Sequence, residues 1–276
     1  RVIEWDIHGY YGYLPAKFIF NDVKLEKSNY IFDSDYSLFW PIPVGDQKNV
    51  IHKTMGLSIL YSPFFFAGHY VAKWLDFPLN GFSEPYKFFL LMSAIFYLFI
   101  GLDFVSKTLL HLNFTEIQTG ITILILGLAT NLMAYSSQSA PMMHIYNFFL
   151  IAAFVYGTLQ WFEHPTIKYS IMIGLSIGLI SMIYIPNILI VIFFLLVGFS
   201  KAGNLVSFVN FIKIHSFKFI IILAAVLIAW TPQLIYWKIV TGELIYSLPH
   251  EGSYFWGQPR ILDGLFSWRK GWLIYT

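Results

Sequence analysis

The sequence predicts an all-α, polytopic integral membrane protein, and three observations carry that expectation. Only 12% of the 276 residues are charged, about half the share found in soluble domains. Several apolar runs approach or reach the ~20 residues that cross a hydrocarbon core as a helix. Those runs are continuously apolar, whereas the strands of a membrane barrel would alternate.

Composition also removes several function classes. There is no cysteine, which excludes disulfides, thiolate nucleophiles and thiolate-bound metal. A net charge of +2, with no basic tract interleaved with aromatics, gives no sign of a nucleic-acid partner. The chain opens on Arg1 without a charged-then-apolar targeting segment, and it closes on G-W-L-I-Y-T, which resembles the start of another apolar helix. Both ends therefore read as cuts in a longer protein, with a further membrane helix expected ahead of Arg1.

Taken in order, residues 1–86 read as a large extracytoplasmic loop containing juxtamembrane helices. Its opening stretch, W-D-I-H-G-Y-Y-G-Y-L-P-A-K-F from Trp5 to Phe18, is too polar to span a bilayer and too aromatic for an ordinary solvated loop. Met55–Leu75 is apolar but interrupted by Pro63 and Gly68, and is expected to lie in or dip into the outer leaflet. The alternative is a true span that reverses everything after it. Residues 87–237 read as the transmembrane bundle, with spans at Lys87–Leu110, Ile117–Tyr135, Pro141–Phe162, Tyr169–Ile185 and Phe217–Trp237, and a short one at Asn187–Ser200. Breaks fall at Leu79–Pro85, Ser136–Ala140 and Lys201–Asn204, where turn residues cluster. Residues 238–271 form a second extracytoplasmic loop, and 272–276 begin the next span. If Lys87–Leu110 runs inward, then Lys107, Lys168, Lys201, Lys213 and Lys218 all fall at cytoplasmic connections, as short loops require.

With that orientation the tyrosines near the N-terminus suit a water–lipid boundary, where a ring is apolar on one side and hydrogen-bonded on the other. Asp6 is a different matter. A carboxylate close to a bilayer is costly unless it meets water, a cation or a donor, so it is a functional candidate. Asp103 and Lys107, one helical turn apart, are expected to pair as a structural feature. The spans hold almost no further acids, which counts against an ion-coupled transporter.

Five segments occur in an order that carries a resemblance. They are D-x-x-x-Y-Y-x-Y-L-P-A-x-F (Asp6–Phe18), K-T-M-G-L-S-I-L-Y-S-P-F-F (Lys53–Phe65), M-H-I-Y-N-F-F (Met143–Phe149), W-T-P-Q-L-I-Y-W-K-I-V-T-G (Trp230–Gly242) and L-F-S-W-R-K-G-W-L-I-Y-T (Leu265–Thr276). Together they resemble the bacterial membrane glycosyltransferases of the GT-C superfamily, which include protein O-mannosyltransferases and lipid A aminoarabinose transferases, in a Bacteroidota-type branch. The resemblance implies a GT-C-like fold in the bacterial inner membrane, with its active site facing the periplasm. It also implies transfer of a sugar from a polyprenyl-phosphate carrier to a protein, lipid or glycan acceptor.

What the resemblance implies for individual residues follows. Asp6 matches the carboxylate of the family's first loop and is the expected general base. The family's mannosyltransferases place a second acid beside it, where this chain has Ile7. Lys53 is an expected contact for the donor phosphate, and Tyr10, Tyr11, Arg260, Arg269 and Lys270 complete the expected substrate-binding set. His144, His8 and Glu251 are candidate ligands for a divalent metal ion. Relatives often carry Arg-Pro where this chain has Tyr184-Ile185-Pro186-Asn187, which shifts phosphate binding onto Arg269, Lys270 or Lys53. The alternatives are a non-catalytic subunit of a larger membrane complex that keeps the fold, or a carrier of lipid-linked glycans.

Overall fold

The computed structural model describes residues 2–4, 6–26, 42–44, 48–246, 260–269 and 271–275. Its described residues divide into two units, 1–245 and 246–276. The first is a helical membrane bundle preceded by short elements. Helices α1 (Asp6–Tyr11) and α2 (Tyr13–Phe18) lead to a small antiparallel pair, β1 (Ile42–Pro43) and β2 (Asn49–Val50). Then come α3 (Gly56–Trp74), α4 (Glu84–His111), α5 (Glu116–Leu128), α6 (Asn131–Gln138), α7 (Met143–Glu163) and α8 (Ile167–Ile183). A 3₁₀ segment (Ile185–Ile190) passes into α9 (Val191–Ala202), followed by α10 (Leu205–Ile214) and α11 (Ser216–Thr241).

Among the described residues, α4, α7, the continuous Ile185–Ala202 stretch and α11 are long and apolar enough to cross a membrane, and α5 with α6 adds a fifth span if the bent pair is one. The protein is thus an all-α integral membrane protein. Helix α8 has only 17 residues, yet it runs the length of the bundle. Its first turn meets α7 where the Trp161 indole N–H donates to Ser170 Oγ at 2.9 Å. Its last turn is met from the other side by the Thr54 hydroxyl, which donates to the Met182 carbonyl. Short length is compatible with that reach because α8 is largely enclosed by α7 and α11.

The α8–α11 contact depends on small residues. A Cβ added at Gly178 would stand 2.6 Å from the Ala229 methyl, and one at Gly174 would stand 2.3 Å from the Ile222 carbonyl oxygen. Membrane helices have no hydrophobic drive toward one another, so close backbone approach of this kind supplies much of their attraction. Gly68 plays a similar part where α3 crosses α4, since a Cβ added there would stand 3.0 Å from the Tyr86 Cα.

The two ends of the bundle differ in character. One end gathers the C-termini of α4, α7 and α9. There Glu163 bridges Lys201 at 2.7 Å and His111 at 3.3 Å, and Gln160 joins His111 at 3.1 Å. The five lysines expected to share a face (107, 168, 201, 213 and 218) lie in or beside the helix ends found here. Lys107 pairs with Asp103 on the exposed side of α4, as their spacing indicated. The opposite end carries the ends of α8 and α11, the start of α7, and the described residues that tie α1, α2 and the start of α3 to them.

Helix α3 runs antiparallel to the first half of α4: Tyr97 donates to the Leu60 carbonyl, while Gly68 lies on Tyr86. Ser93, midway along that half, is bonded to Tyr146 in the first turn of α7. The nine residues of α4 before Ser93, roughly 13 Å of helix, therefore extend past the start of α7 with α3 alongside. The break expected at Pro63 and Gly68 is absent. Pro63 removes the N–H that would bond the Ile59 carbonyl, and the Ser62 hydroxyl donates to that carbonyl instead, at 2.7 Å.

Three other expectations are corrected. The single span Ile117–Tyr135 is two helices meeting at 52°; Thr130 caps the second one by accepting from Leu132 N–H, a stop-and-restart that continuous apolarity hides. The break placed at Ser136–Ala140 begins later, because α6 continues to Gln138. Residues 205–214, expected to be connecting chain, form α10. Gly203 in the left-handed region closes α9, and Asn204 opens α10 by accepting from Ser207 N–H at 2.8 Å. Phe211 of α10 stacks on Phe162 of α7.

Candidate functional site

Helix α1 begins at Asp6, and a Cβ at Gly9 would stand 2.7 Å from Lys53 Cγ, so only a glycine lets the Lys53 stem pass this closely. That passage brings two residues 47 positions apart into an ion pair: Lys53 Nζ is 3.5 Å from Asp6 Oδ1. The carboxylate is half exposed (52%), the lysine mostly covered (20%). Lys53 Nζ also lies 5.9 Å from the centre of the Tyr10 ring, within cation–π range. Asp6, Tyr10 and Lys53, three of the expected site residues, thus lie together.

The short stretch holding Lys53 is tied to the bundle from several sides. Ile51 N–H donates to the Tyr236 hydroxyl at 3.0 Å, and Met55 N–H to Gln233 Oε1 at 2.7 Å. The Tyr13 hydroxyl donates to the Lys53 carbonyl at 2.6 Å, and Thr54 donates to α8. On the other side of α1, the Ser58 hydroxyl donates to the Tyr10 carbonyl. Buried polar groups must be paired, and these pairs fix the Lys53 backbone between α2, α8 and α11. None of them was visible as a motif, because each joins segments far apart in the chain.

The remaining expected residues divide into those placed elsewhere and those not described. Tyr11 is buried against Phe65 and Phe82, and its hydroxyl donates to the Gly81 carbonyl at 2.6 Å. Burial, with Tyr86 adding to it, pushes that hydroxyl well above the ordinary tyrosine range. Its position is a packing one. His8 is also buried, edge-on to Phe82; burial lowers its affinity for a proton, and Glu4 opposes that in part. His144 stacks on Tyr135 with ring centres 3.9 Å apart. Among the described residues no three His, Asp or Glu side chains converge as a metal donor set; Glu251, the third expected ligand, lies outside them. Arg260 and Arg269 are exposed in the second unit, flanking the short helix α12 (Ile261–Phe266) that precedes α13 (Trp272–Tyr275). Lys270 lies outside the described residues.

A largely apolar groove of about 370 Å³ opens between α2, α3 and α11, and neither Asp6 nor Lys53 is in its wall. Tyr13 and Met55, the two residues bonded beside Lys53, form part of its wall, with Ser58, Ile59, Ile235 and Ile239. Lys17 stands in the same wall. The end of the bundle thus offers a carboxylate–ammonium pair and, linked to Lys53 through Tyr13 and Met55, an apolar groove with Lys17 in its wall. Comparison of the chain with protein-family models, with curated proteins and with solved structures finds no match, so the chemistry of this site rests on its own geometry.

Proposed function

We propose that the chain is a membrane glycosyltransferase that moves a sugar from a polyprenyl-phosphate donor to a hydroxyl acceptor on the extracytoplasmic face. The observations that support this most are the Asp6–Lys53 pair and an apolar groove whose wall includes Tyr13 and Met55, the residues that flank Lys53. A lipid phosphate needs a cation at its head and a greasy channel for its tail, and this end of the bundle carries both.

In this reading the groove takes the first isoprene units, and Lys53 meets the phosphate. Asp6 accepts the proton of the acceptor hydroxyl as that oxygen bonds to the anomeric carbon. The anomeric C–O bond breaks, its electron pair leaves on the lipid phosphate, and Lys53 stabilises the charge that collects there. Attack opposite the leaving group inverts the anomeric centre. Lys53 then exchanges one carboxylate partner for a phosphate, which its flexible stem over Tyr10 permits.

The test is glycan mass spectrometry on cells lacking the chromosomal copy and complemented with the full chain. Asp6→Asn should abolish the transferred sugar while the protein still accumulates in the membrane and melts as the wild type does. A glycan profile restored in full by Asp6→Asn would sink the reading.

A further inference from the structure

A second cavity, of about 480 Å³ and open to the outside, lies between α6, the start of α7 and the 3₁₀ segment after α8. That volume is within the ~300–1,000 Å³ range of ligand pockets. Its polar lining consists of Asn131, Tyr135, His144, Asn147, Tyr184 and Asn187; the rest of the wall is apolar, and no Asp, Glu, Lys or Arg contributes to it. The Tyr135 and His144 rings stack face to face, 20° from parallel, joining α6 to α7 and leaving each ring one outer face. Asn147 lines the cavity while its side-chain oxygen is buried and accepts no hydrogen bond from the described residues, a cost of about 1–3 kcal/mol that rotation of the amide toward a sugar hydroxyl would recover.

The chemistry of this wall selects its occupant. A phosphate or other anion would lack a cation, and an ammonium would lack a carboxylate. A purely apolar guest would leave three amides without partners. A pyranose ring satisfies each condition: its C–H face lies on the outer face of an aromatic ring, and its hydroxyls reach amides that both donate and accept. The cavity also adjoins the site already described. Met143 is in its wall and accepts the Tyr10 hydroxyl at 3.7 Å, and Tyr10 is the ring beneath Lys53.

We propose that this cavity binds an uncharged pyranoside, supplied either by the acceptor glycan or by the sugar of the donor, and that Tyr135 and Asn147 are its principal contacts. The proposal rests on the glycosyltransferase reading for which substrate brings the sugar, but not for the binding itself.

Saturation-transfer NMR on the full chain in nanodiscs, with methyl glucoside, methyl mannoside, methyl galactoside and methyl N-acetylglucosaminide as probes, tests it. Transfer to the ring protons of at least one probe is expected. It should fall at least tenfold in Tyr135→Ala and in Asn147→Ala, and be retained in Tyr135→Phe and Asp6→Asn. In turnover, Tyr135→Ala should raise KM for whichever substrate carries the sugar, with kcat nearly unchanged, so the acceptor and the donor are told apart by which KM moves. No transfer to any probe, or equal transfer in wild type and both alanine variants, would overturn the proposal. Those outcomes leave the role of Asp6 intact; conversely, retained activity in Asp6→Asn with saturation transfer present would remove the catalytic reading and keep the sugar site.

Discussion

Replacing Gly178 by alanine should destabilise the bundle in a way that a second small change repairs. The new Cβ would stand 2.6 Å from the Ala229 methyl and 3.1 Å from the Val226 carbonyl oxygen. Ordinary carbon–carbon contact is ~3.5–4.0 Å, so α8 and α11 must part by about 1 Å. Overpacking of this order costs ~1–3 kcal/mol. Alanine's better helix propensity returns ~1 kcal/mol, leaving a net loss of up to about 2 kcal/mol. Ala229→Gly removes the clashing methyl and should recover most of that loss in the double variant, a coupling of ~1 kcal/mol or more. Gly174→Ala should not be rescued by Ala225→Gly, because its nearest obstacle is the Ile222 carbonyl oxygen at 2.3 Å, which no side-chain trimming removes. Gly120→Ala is the control: nothing lies within 4 Å of its Cβ, so it should be neutral or slightly stabilising. Thermal unfolding in one detergent, followed by intrinsic fluorescence across the set, reads all of these. Equal melting of Gly178→Ala and Gly120→Ala, or additivity in the Gly178–Ala229 pair, would refute the claim that close approach at these two glycines holds α8 to α11.

Burial lowers the His8 pKa from its ordinary value of 6.5, so the unfolded chain binds its proton first as pH falls. Stability from this group is complete above pH ~6.5 and declines below it; the melting temperature should drop between pH 7 and 5, and His8→Gln should flatten that slope. Gln233→Leu leaves the Met55 N–H without its acceptor and should cost ~1–3 kcal/mol, measured by the same melts, with proteolysis near residue 55 accelerated. Lys53→Met should lower transfer by at least tenfold, through kcat as well as KM for the lipid donor, while changing stability by less than ~1 kcal/mol, as expected for a partly exposed pair. A kinetic assay separating KM from kcat decides that last point.

The bundle was largely legible because hydrocarbon thickness and continuous apolarity specify spans almost without reference to neighbours. Helices α4, α7 and α11 fall within a few residues of the expected ranges. The misses have a common physical cause: local punctuation was outweighed by apolarity or by tertiary support. Thr130 restarts a helix inside an apolar run, Asn204 starts one in a stretch read as a connection, and Pro63 fails to stop one because Ser62 takes over the freed carbonyl. The pairing of Asp6 with Lys53 was expected only as membership of one site. The contacts that lock it, Tyr236 to Ile51 and Gln233 to Met55, join residues more than 170 positions apart and have no local signature. The pyranoside cavity was hidden for the same reason, since α6, α7 and the 3₁₀ segment contribute ordinary residues that become a wall only when assembled.

The Thr54–Met182 bond has a consequence for how the protein is made. Met182 belongs to the final turn of α8, whose carbonyls find no N–H donor within the helix itself, and the hydroxyl that serves it is synthesised 128 residues earlier. The strap must therefore wait while α3 to α7 are made, and its ties are complete only when α11, which carries Gln233 and Tyr236, has followed α8. The loop and the bundle are thus finished together.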